Sequence, residues 1–106
     1  MRDSIIIDMA YADYDIINSK PDVERHHCIF GNPDRQKADE DGLWVPLSPE
    51  HHRDGKISAH KCIEIQRLLQ MIAQLSYELE MITTGKAASK DEARELFFKR
   101  YRRFFL

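Results

Sequence analysis

Aliphatic runs in this chain stop at three residues, Ile5-Ile6-Ile7, far short of the roughly 20 apolar residues that a membrane-spanning helix needs. Cysteine is scarce: Cys28 and Cys62 are too few to build the disulfide framework of a small secreted domain. A secretory leader is not expected, because Arg2 and Asp3 run straight into a segment studded with aspartates, and the expected location is cytoplasmic. An excess of one charge is also missing. A net charge of −2 excludes a protein that coats itself in nucleic acid over its whole surface. What remains is 106 residues, 42% hydrophobic and 32% charged, which suits one small globular domain. Its core is thin, so help from a metal, a partner or a second copy is expected.

The charges are unevenly placed. Residues 1–24 carry two basic and six acidic groups, whereas residues 88–106 carry six basic and three acidic ones. The N-terminal segment repels a polyanion, and the C-terminal tail, with Arg100, Arg102 and Arg103, offers a phosphate-attracting edge. Along the chain, alternating Ile5, Ile7, Met9 and Tyr11, then Tyr14 and Ile16, lean towards a strand in residues 4–17. Short strands are expected at 23–30 and 43–47, joined by a polar loop over 31–42, and Pro46 suggests an edge. Ser48-Pro49-Glu50 reads as a helix start, with Ser48 as N-cap.

The second half is helical. No glycine or proline interrupts residues 58–84, and Ile65, Leu68, Leu69, Ile72, Leu75 and Leu79 recur at helical spacing. Gly85 stands where a helix ends. Ser89-Lys90-Asp91-Glu92 is a capping-box signature that opens a second helix towards the C-terminus. Phe97, Tyr101 and Phe104 on that helix are expected to pack on the Ile65–Leu79 face. Strands followed by helices make an α+β fold, divided into an acidic segment (1–22), a central part (23–62) and a two-helix part (63–106). The apolar helices also offer a surface on which two copies pair as a homodimer.

All five histidines fall between positions 26 and 60, as His26-His27, His51-His52 and His60. Adjacent strand residues point to opposite faces, so one of the first pair can ligate a metal while its neighbour does something else. A strand, a helix start and the mouth of a long helix together bring three imidazoles to one compact site. A second set is open on the same residues: Cys28, His52, His60 and Cys62 around a structural zinc.

The order Arg25-His26-His27-Cys28-Ile29-Phe30-Gly31-Asn32-Pro33-Asp34-Arg35, then Gly42-Leu43-Trp44-Val45-Pro46-Leu47-Ser48-Pro49-Glu50-His51-His52, then His60, resembles the ββα-metal core of HNH endonucleases, closest to the small HNH-like proteins of phages and prophages. The resemblance covers residues 23–62. It implies a metal-dependent nuclease that hydrolyses or nicks DNA, using Mg2+, Mn2+ or Zn2+. His26, His52 or His51, and His60 would be ligands, His27 the general base and Arg35 a phosphate contact. The family's middle asparagine, which orients the base, is absent; Asp41, beside Gly42 and Leu43, is the candidate to replace it. That departure and the acidic N-terminus support another expectation. A catalytically degenerate HNH-like phage protein would bind and inhibit a host nucleic-acid enzyme, for instance a defence nuclease.

Overall fold

The computed structural model describes residues 2–106. Two short strands, β1 (Glu24–His27) and β2 (Trp44–Leu47), pair antiparallel with Glu24 opposite Leu47, Arg25 opposite Pro46, His26 opposite Val45 and His27 opposite Trp44. Helix α1 (Asp34–Asp41) bridges them. A single wide, π-type turn follows at Glu50–Asp54. Two longer helices, α2 (Ile63–Thr83) and α3 (Lys90–Tyr101), complete the chain. The result is a compact α+β fold, and no helix among the described residues is long and apolar enough to cross a membrane.

The polar loop expected over 31–42 is mostly helix α1. Its sequence DRQKADED has no apolar stripe, and Ala38 is its only buried residue, so periodicity gave no sign of it. The helix stops at Gly42, whose φ of 72° is left-handed. A Cβ there would also meet the Asp3 carbonyl oxygen at 2.5 Å, so glycine is required twice over. Gly55 closes the π-type turn by donating to the Glu50 carbonyl at 2.8 Å. A Cβ at Gly55 would lie 2.6 Å from that same oxygen.

Residues 4–17 do not form a strand. They run beside β2 as bends and one 3-10 turn, Met9–Tyr11. Their aspartates fold the backbone locally: Asp8 accepts from the Ala10 N–H, and Asp15 accepts from the Ile17 and Asn18 N–H groups. Such side-chain bonds compete with a ladder and win here. The segment is fastened at its ends. The Ile5 N–H donates to Gly42 at 2.9 Å, Ser4 Oγ to Trp44 at 2.7 Å, and the Trp44 indole N–H to Arg2 at 2.9 Å.

Helix α2 begins at Ile63, later than expected, because residues 58–62 are occupied by turns. It buries Leu69, Ala73, Tyr77 and Met81, whereas Leu68, Leu75 and Leu79 are exposed. Ser89 caps α3 by accepting from the Glu92 N–H at 3.2 Å, and the helix stops at Arg102, in a left-handed conformation, before the C-terminus. Phe97 and Tyr101 pack edge-on against Tyr77. Phe104 stays exposed, and Phe105 takes the core position beside Phe97. Gln74, fully buried, holds this tail by accepting from the Phe105 N–H at 2.7 Å.

Asp15 is the deepest carboxylate, 1% exposed. Burial pushes its pKa up, but hydrogen bonds from the Ser48 N–H, His51 and the Ile17 N–H outweigh that and hold it down at about 2. A depressed carboxyl stabilises the fold fully above its unfolded pKa and loses that stabilisation as pH falls through the folded value. Asp15→Asn is therefore expected to cost about 2 kcal/mol at neutral pH, a gap that closes between about pH 4 and pH 2. Urea unfolding of both proteins across that range checks this, and a pH-independent difference would contradict it.

Candidate metal centre

The site is assembled from β1, the π-type turn and the turn before α2. β1 alternates its faces: His26 meets the later turns, while His27 meets α1. Two backbone bonds, from Ala59 N–H to His51 at 2.7 Å and from His60 N–H to His52 at 3.1 Å, lay residues 59–60 alongside the π-type turn. His60 thereby comes beside His52, with ring centroids 4.8 Å apart, and both stand edge-on to His26 at 5.2 and 5.6 Å. One ring nitrogen from each of the three lies within 4.8 Å of the others.

Three features mark this cluster as able to hold a metal ion. His26 is 2% exposed, and its Nε2 has no hydrogen-bond partner. Leaving such an atom unsatisfied costs about 1–3 kcal/mol, a penalty that coordination removes. Burial, then the neighbouring His52, His60 and His27, depresses the His26 pKa to about 3. Burial and then His52 also lower that of His60. Both imidazoles are therefore neutral at physiological pH, the form that ligates. Finally, His52 Nδ1 donates to Glu24 Oε1 at 2.9 Å, turning its Nε2 lone pair towards the cluster. A carboxylate behind a ligating imidazole is the usual outer support of a metal site. Metal–nitrogen bonds of about 2.1 Å imply nitrogens roughly 3.4 Å apart in a tetrahedral site, so small ring rotations suffice to close the set.

The remaining histidines are placed otherwise. His51, 5% exposed, donates from Nδ1 to Asp15 Oδ2 at 2.8 Å and pins the N-terminal segment to the turn. Of the adjacent pair, His52 is the one in the cluster. His27 Nε2 meets Asp39 Oδ1 at 2.9 Å. Asp41 sits elsewhere, gripped by Arg100 at 3.0 and 3.1 Å and by the Tyr101 hydroxyl at 2.6 Å. Asp39 is the carboxylate that sequence reasoning missed. Its only available signal was its position near the end of a helix that the composition conceals.

Neither cysteine joins the cluster among the described residues. Cys28 is fully buried in the apolar core, where burial pushes its thiol pKa up, and Cys62 donates to Glu64 at the start of α2. The four arginines named from the sequence divide. Arg35 lines the cleft over the cluster, together with Arg25 and Arg53. Arg100 and Arg103 fasten α3 to α1 through Asp41 and Asp34, and Arg102 is exposed at the helix end. The cleft encloses about 230 Å³, and all eight of its lining residues are histidine, arginine or Phe30.

Calorimetric titration with Zn2+ is expected to show one ion per chain, with a rise in Tm that EDTA reverses. His60→Ala, at an exposed position, should weaken binding by more than about 100-fold, and Glu24→Gln by about 10- to 100-fold. His51→Gln should lower Tm while leaving zinc affinity within a few-fold; equal loss in all three variants would contradict the assignment. No protein-family model matches this chain, and neither the curated proteins nor the solved structures contain a match.

Proposed function

We propose that the chain is a metal-dependent HNH-type endonuclease that nicks or hydrolyses DNA, built on a ββα-metal core. The observation that carries this reading is the buried, unpartnered His26 Nε2 facing His52 and His60, in an arginine-lined cleft that His27 shares. Three imidazoles without a carboxylate favour Zn2+ over Mg2+ and Mn2+, which prefer oxygen ligands. A divalent ion held there supplies polarisation of the phosphate and stabilisation of the leaving oxygen. His27 acts as the general base. Because Asp39 accepts the Nε2 proton, the basic lone pair is on Nδ1, which takes the proton of an attacking water. Arg35, which lines the cleft and has no ion pair among the described residues, would meet the phosphate. The location implied is the cytoplasm, where DNA is accessible.

A second reading rests on a separate surface. Tyr11, Tyr14, Ile16 and Ile17 are 65%, 46%, 39% and 46% exposed within the acidic segment. Such a patch suits a degenerate phage protein that occupies a basic groove on a host nuclease.

Supercoiled plasmid incubated with protein and Zn2+, Mn2+, Ni2+ or Mg2+ separates the two. Metal-dependent conversion to open circle is expected, with His27→Ala slowed by about 10²- to 10⁴-fold and Asp39→Ala by about 10- to 100-fold. Folded, metal-loaded protein that leaves the plasmid intact in every metal would overturn the nuclease reading in favour of the binder.

A further inference from the structure

Helix α2 carries a second apolar stripe that its own fold does not use. Leu68, Ile72, Leu75, Leu79 and Ile82 follow one another at spacings of four, three, four and three, the a/d repeat of a two-helix seam. Leu68, Leu75, Leu79 and Ile82 are 48%, 52%, 61% and 36% exposed. The core of this chain is met instead by the opposite line, Leu69, Ala73, Tyr77 and Met81. The exposed stripe presents roughly 400 Å² of apolar surface, the size of the largest patch on a typical monomer, which is often a site of interaction. That is about half of the roughly 800 Å² per partner of a standard dimer.

We infer that α2 pairs antiparallel with the α2 of a second copy of this chain, about a two-fold axis at Leu75. The stripe reads nearly alike in both directions from Leu75, so Leu68 of one copy meets Ile82 of the other. Such a seam is self-complementary, as an isologous interface requires. The rim agrees. A groove of about 540 Å³ beside the stripe is walled by Lys90, Asp91 and Arg94, and Arg94 is paired with Glu78 at 3.2 Å. Its charges are mixed rather than of one sign, which suits a copy of itself and neither a polyanion nor a basic protein. Antiparallel alignment brings the Glu64–Arg67 end of one α2 towards the Thr83 end of the other, beside which Lys90 and Asp91 of α3 stand, so that each side carries one charge of each sign. From Leu68 to Ile82 the seam is about 21 Å long by the helical rise, about four helical turns.

Size-exclusion chromatography with light scattering is the first test, and the expected mass is twice the 12.5 kDa of one chain. Leu75→Glu with Leu79→Glu, both at exposed positions, should halve that mass and keep the helical circular dichroism. In a Cys62→Ser background, Leu75→Cys should oxidise to a cross-linked dimer. Leu68→Cys should do so only when mixed with Ile82→Cys. Wild-type protein that stays monomeric at high concentration overturns the pairing, as does a doubly charged variant that remains dimeric. Self-cross-linking of Leu68→Cys as fast as Leu75→Cys overturns the antiparallel register. None of these readouts depends on catalysis, so the nuclease reading and the dimer fail separately.

Discussion

A single carboxylate organises the half of the molecule that holds the site. Asp15 accepts the Ile17 and Asn18 N–H groups on one oxygen, and the Ser48 N–H and His51 Nδ1–H on the other. Four donors on one buried anion tie the N-terminal segment, the exit of β2 and the π-type turn together. Remove that anion and three backbone donors and an imidazole lose their acceptor inside the protein, which is far costlier than losing an exposed ion pair. His52 follows His51 directly, so its approach to His26 depends on a residue 37 positions earlier. The acidic N-terminal segment, which composition alone casts as an obstacle to a polyanion, supplies the clamp that shapes the histidine cluster.

The opposite half is fastened by charge in another way. Arg100 on α3 and Arg103 just beyond its end reach Asp41 and Asp34 at the two ends of α1, and Lys37 donates to the Arg100 carbonyl at 2.9 Å. Helix α1 has almost no apolar face, so these bonds stand in for packing. They also consume basic residues that would otherwise form a phosphate-binding edge at the C-terminus. The arginines that line the cleft over the histidine cluster are Arg25, Arg35 and Arg53, the last of them paired with Glu24.

What could be read from the sequence follows from what its patterns encode. The density of histidines pointed to a metal site, and three of the five do converge, while His27 and His51 have partners of their own in Asp39 and Asp15. The choice between His51 and His52 was not legible, since neighbouring residues on a turn differ only in what lies opposite them, here Asp15 and Glu24. Asp39 and Asp41 were indistinguishable for a similar reason: both belong to a helix whose composition looks like loop. Both C-terminal helices were visible in their periodicity and caps. The buried face of α2 was not, because the helix has two apolar lines. The fold uses the one with Ala73 and Tyr77, small enough and flat enough for α3 to approach, and leaves the leucines outside.

Trp44, the only tryptophan, pairs across the sheet with His27 and lies under the Arg25 guanidinium, 4.0 Å from the ring centroid. Arg25 in turn lines the cleft. A cation over an indole face polarises the ring, so an anion that draws Arg25 towards the cleft changes the electrostatic field at the indole. The only tryptophan thus stands one side chain away from the cleft, and its emission is expected to respond to an anion that Arg25 meets there.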